Sequence, residues 1–80
     1  MEIKCGMIVR SVAGHDKDRF YLVVEIKDNR IYIADGKIRK LSSLKGKNPI
    51  HLKITKSIVD VKEYGTDRKI RKLLHSFNYD

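Results

Sequence analysis

The chain is 80 residues long, enough for one small domain with a modest core. Its 18 Lys and Arg face 10 Asp and Glu, and the net charge of +8 points to a polyanionic partner: nucleic acid, anionic lipid or an acidic protein. Cys5 stands alone, which excludes an internal disulfide and a cysteine-built zinc site, and no apolar run suits a secretory signal or a membrane span, so a soluble cytoplasmic protein is expected.

Met7 to Val12 opens the chain as a short β-rich run. The stretch SVAGHDKDR, residues 11–19, then breaks it with a glycine, a histidine and four charges. Phe20 to Ile26 and Arg30 to Ala34 read as strands joined by Asp28-Asn29, and Asp35-Gly36 leads to a third, Lys37 to Leu41. Both dipeptides tolerate the positive φ of primed hairpin turns. If both are hairpins, Ile26 faces Ile31, Val24 faces Ile33 and Ile33 faces Ile38. Phe20, Leu22, Val24, Ile26, Ile31, Ile33 and Ile38 then form one apolar face. Tyr21, Val23, Glu25, Lys27, Arg30, Tyr32, Lys37 and Arg39 form a polar one, in a three-stranded meander over residues 20–41.

LKGKNP, residues 44–49, is a basic loop, and Pro49 precedes a last strand, Ile50 to Thr55. Ser57 to Tyr64 reads two ways: its β-branched residues favour strand, while Ser57 and Asp60 imitate a capping box. From Thr66 to Phe77, Ile70, Leu73, Leu74 and Phe77 recur at helical spacing. Thr66 can cap this helix, and Arg68, Lys69, Arg71 and Lys72 fill its other face. That face reads equally well as a plain solvated surface, and without Trp the apolar side is a poor membrane anchor. Several short strands with tight turns suggest a small closed or half-closed barrel.

Catalytic chemistry finds little footing. His15, His51 and His75 fall in three different elements without metal-ligand spacing, and GxSxG, GxxxxGK[ST] and GxGxxG are absent. Asp16 and Asp18 are flanked by Lys17 and Arg19, so they read as carboxylates that hold these cations or fix the turn. No enzyme activity, cofactor or metal is expected.

RNA contact fits better. Phosphates call for spaced Lys and Arg with backbone N–H groups at turns, and unpaired bases call for aromatic or guanidinium planes. The candidates are Gly14, His15, Lys17 and Arg19 in the first loop, with Lys45 and Lys47 in the basic loop. Tyr32 and Arg39, paired across the meander, offer a stacking site, with Lys37 and Lys40 beside them.

GMIVRSVAGHDKDRFYLVVEI, residues 6–26, resembles a KOW motif, with Gly6, Val9 and Gly14 at the expected places and Lys17 at the basic turn. It departs at Asp18, where KOW motifs often carry glycine; Asp also tolerates the left-handed conformation. With IADGKIRKL and HLKIT, the chain is similar over residues 5–55 to the family of ribosomal protein fourteen of the eukaryotic and archaeal large subunit. Its short bacterial relatives are described as KOW-domain RNA-binding proteins. The resemblance implies an SH3-like five-stranded barrel over residues 1–56, and RNA contact through Gly14, His15, Lys17 and Arg19. Residues 57–80 lie outside it, as an extension whose helix, about 66–77, packs on the barrel.

The expectation is therefore a mainly β protein: a non-catalytic RNA-binding module for ribosomal or other structured RNA, read as a monomer and possible ribosome partner. The alternative is a protein-interaction barrel of a transcription or translation factor, with Ile70, Leu73, Leu74 and Phe77 docking on the partner.

Overall fold

The computed structural model describes residues 2–79. Five antiparallel strands form one sheet: β1 (Met7–Ser11), β2 (Phe20–Lys27), β3 (Arg30–Ala34), β4 (Lys45–Lys47) and β5 (Leu52–Ile58). One α-helix among the described residues, α1 (Asp67–Tyr79), follows. The sheet order is β4-β3-β2-β1-β5, so β4 and β5 are its edges. Among the described residues no helix is long and apolar enough to cross a membrane.

The Asp28-Asn29 hairpin forms as expected. Both residues take positive φ, 51° and 63°, and Ile26 pairs with Ile31. The rest of the meander differs from the sequence reading. Val23 pairs with Ile33 and Glu25 with Tyr32, leaving Val24 as an extra residue in a β-bulge. Side chains alternate along a strand, so one inserted residue exchanges the faces of everything before it. Tyr21 and Val23 thus join Ile31, Ile33, Val9 and Leu52 in one core. Leu22 joins Ile8 and Ala34 on the opposite side, where Phe20 and Val24 also pack. The sheet has two apolar faces, not one apolar and one charged.

Asp35-Gly36 makes a turn but no hairpin, and residues 37–41 form no strand. The Asp35 carboxylate accepts the backbone N–H groups of Lys37 (2.9 Å) and Arg39 (2.8 Å), curling the chain into a closed loop. Ile38, expected in the core, is 62% exposed. The strand that pairs with β3 is β4, inside the segment read as a basic loop; Tyr32 faces Gly46.

The first core draws on β1, β2, β3 and β5, so the sheet coils strongly enough to bring Ile31 and Leu52 into one cluster. The second core lies under α1, whose Ile70 and Leu74 are buried against Ile8, Leu22 and Ala34. Thr66 caps the helix by accepting the N–H of Lys69 at 3.2 Å. At the other end, the Asn78 side chain accepts the Phe20 N–H (2.8 Å) and donates to the Phe20 carbonyl (3.2 Å), while the Phe77 and Phe20 rings lie 5.4 Å apart. Between β5 and α1 there is no further strand. Ile58 ends β5, and a short 3₁₀ turn at Val61–Glu63 is capped by Asp60, which accepts the N–H of Lys62 at 3.0 Å.

Candidate nucleic-acid interface

The loop between β1 and β2 is a compact 3₁₀ turn, Gly14–Asp16, rather than an extended arm. Gly14 has φ +77°, and Asp18, standing where a glycine was the alternative, has φ +69°. The Asp18 N–H donates to the Ser11 carbonyl at 2.7 Å, which seals the loop base. Asp18 thus fixes the turn through its backbone.

Asp16 behaves differently from the expectation that it holds Lys17 or Arg19. Its carboxylate turns inward and is buried. It accepts the Tyr21 hydroxyl at 2.9 Å and the Arg39 guanidinium at 3.2 Å to each oxygen, with the Lys47 ammonium 3.6 Å away. Burial by itself raises this carboxyl's pKa; the Tyr21 hydroxyl, Arg39 and Lys47 outweigh it and hold the group below its ordinary 3.8. Burial, together with the same contact, pushes the Tyr21 phenol far above its usual range. Lys47 also donates to the Ala13 carbonyl at 3.2 Å. Arg19 is held instead by Asp35, at 3.5 Å. The two carboxylates therefore tie together the first loop, the 35–40 loop and β4.

Beside this cluster lies an open groove of about 890 Å³ between the 35–40 loop and α1. Among the described residues Arg19, Lys37, Arg68, Arg71 and Lys72 line it, against one carboxylate, Asp35. Asp35 is already engaged by Arg19 and by two backbone N–H groups, so it opposes an incoming anion weakly. Arg71 is anchored through Nη1 to the Gly36 carbonyl at 2.9 Å. Tyr79 lies at the groove end of α1 and is 52% exposed. Lys37 donates to its hydroxyl at 3.2 Å, and the Lys37 ammonium and Arg19 guanidinium lie 5.5 and 5.8 Å from its ring centre. Arg19 first, then Lys37, holds the Tyr79 phenol below its ordinary pKa.

The ten candidate residues do not act as one set. Gly14, Arg19, Lys37, Arg39 and Lys47 gather around Asp16 and Asp35, with His15, Lys17, Lys40 and Lys45 exposed on the same loops and on β4. Lys47 and much of Arg39 serve as internal struts. Tyr32 lies on β3 opposite Glu25 and Gly46, while Arg39 sits in the 35–40 loop with its guanidinium on Asp16, so the two are not cross-strand partners. Arg68, Arg71, Lys72, His75 and Tyr79 of α1 also line the groove, a face whose sequence reads equally well as plain solvated surface. Their spacing of three and four residues was the available signal, a basic stripe ending in an aromatic residue. Among the described residues no group of three or more His, Cys, Asp or Glu comes together to hold a metal. No protein-family model and no curated protein matches the chain.

Proposed function

We propose that this protein is a non-catalytic RNA-binding module, with ribosomal or other structured RNA as its partner. The observation that carries the reading is the groove lined by Arg19, Lys37, Arg68, Arg71 and Lys72 around the Asp35 carboxylate, itself paired with Arg19. Exposed cations gathered on one surface repel each other without an anion, and a phosphate backbone supplies anions in a row. His15, Lys17, Lys40 and Lys45 extend the basic surface beyond the groove. The coiled five-stranded sheet, with Gly6 and Gly14 both at positive φ, supports an SH3-like barrel of KOW type for this module. The protein-interaction alternative placed a partner on Ile70, Leu73, Leu74 and Phe77. That face packs on the sheet, with Ile70 and Leu74 buried and Leu73 and Phe77 partly buried beside them, which favours the RNA reading.

The test is RNA affinity measured across a salt series. Log K is expected to fall steeply with log salt. Lys37→Ala, Arg68→Ala and Lys72→Ala together are expected to reduce the slope by roughly 2 to 3, near 0.7–0.9 per lost phosphate contact. A flat salt response, or a triple variant that binds as the parent does, overturns the reading.

A further inference from the structure

We propose that the groove beside α1 receives an unpaired nucleotide, its base stacked on Tyr79 and its phosphate against Lys37, Arg71 and Lys72. This rests on the RNA-binding reading and specifies the form of RNA that the groove accepts.

Tyr79 presents a phenol ring to the groove, and about half of its surface is open. It is held in place before any ligand arrives. Lys37 binds its hydroxyl at 3.2 Å, and the His75 ring leans on it at 5.2 Å. An ordered ring loses little freedom when a base stacks on it. The Lys37 ammonium lies 5.5 Å from the ring centre, so charge and stacking plane fall within the reach of one nucleotide, between its base and its phosphate. The helix direction agrees. Arg71 and Lys72 sit about two turns before Tyr79, so the phosphate meets the cations away from the helix C-terminus. The carbonyl end, with its partial negative charge, meets the uncharged base. Bases within a duplex have both faces covered by their neighbours, so only an unpaired or terminal nucleotide can stack here. An acidic peptide would satisfy the cations and leave Tyr79 unused.

The experiment compares a short single-stranded RNA of mixed sequence, carrying one 2-aminopurine, with a blunt duplex of the same length. The expected result is tighter binding of the single strand, with a change in 2-aminopurine fluorescence. Tyr79→Ala should weaken the single strand roughly 5- to 100-fold and remove that change, with a much smaller effect on the duplex, whose open base faces are confined to its two ends, and with the salt slope kept. Tyr79→Phe, which keeps the ring and loses the hydroxyl contact, should retain most of the affinity. Equal binding of duplex and single strand overturns the proposal, as does a Tyr79→Ala variant that binds the single strand like the parent. Displacement of the RNA by poly-glutamate at equal charge concentration also overturns it, by showing a groove for any polyanion. Salt-dependent binding of both RNAs without a Tyr79 effect removes the nucleotide site alone; no salt-dependent RNA binding by the parent removes the RNA reading itself.

Discussion

Asp16 shows how one side chain can set the character of a basic surface from beneath it. Its carboxylate sits between Tyr21, Arg39 and Lys47, with a side chain only 8% exposed. Replacing it with Asn leaves two cations partly or wholly buried without a counter-charge, which should cost about 3 kcal/mol. For a domain of this size, that should lower Tm by roughly 10–20 °C in a thermal melt. Tyr21→Phe removes a single hydrogen bond and should cost about 1–2 kcal/mol, read by urea denaturation. The Asp16 pKa is lowered on folding, so its contribution is fully present above the ordinary value of 3.8 and is lost as pH falls toward the folded value. An acid titration of stability should therefore show a steeper decline for the parent than for Asp16→Asn. The sequence displayed the charges of SVAGHDKDR but not their pairing. Asp16 is adjacent to Lys17 along the chain, and its partners Arg39 and Lys47 arrive from 23 and 31 positions away.

At the scale of elements, the 35–41 loop and the start of α1 form one unit. Gly36 has φ +77°, and a Cβ there would run into the Asp67 carbonyl. Arg71 holds the Gly36 carbonyl, and Asp67 accepts the Leu41 N–H at 2.8 Å. Gly14 has the same φ, but its Cβ would meet nothing closer than Lys47 Nζ at 3.8 Å. Gly14→Ala should thus cost only the conformational penalty, about 1–2 kcal/mol. Gly36→Ala should cost distinctly more, because the helix must shift as well; paired denaturation curves check the order. This unit explains why the meander was misread. Asp-Gly is a sound hairpin signal, and the local pattern after it alternates correctly. A buried carboxylate that collects two N–H groups, and a helix arriving from 30 residues later, are long-range facts that no local period reveals. The helix itself was legible, because its apolar spacing and Thr66 cap are local. It runs two residues beyond the expected Phe77, and those two residues supply Asn78 and Tyr79.

At the scale of the whole molecule, the sheet is apolar on both sides and depends on α1 to cover one of them. Leu74→Ala removes a fully buried side chain from that layer and should cost about 2–5 kcal/mol, a large share of what an 80-residue domain can hold. The mainly β class and the C-terminal helix followed from periodicity. The inversion of faces did not, since one bulged residue at Val24 leaves no mark on an unbroken run of strand formers. The basic surface was visible as a charge excess, and its location was not. The groove exists only where the helix stripe meets Arg19 and Lys37, which the chain keeps far apart. The Asn78 amide at the end of that stripe has one more consequence. By pairing with both polar groups of the Phe20 backbone it acts as a one-residue strand, so the Phe20 amide proton is shielded from solvent only while the last helical turn is seated. Native-state hydrogen exchange at Phe20 therefore reports the opening of the C-terminal turn. If Asn78→Ala leaves exchange at Leu22 slow and makes Phe20 fast, the chain end opens as its own cooperative unit, with the sheet intact beneath it.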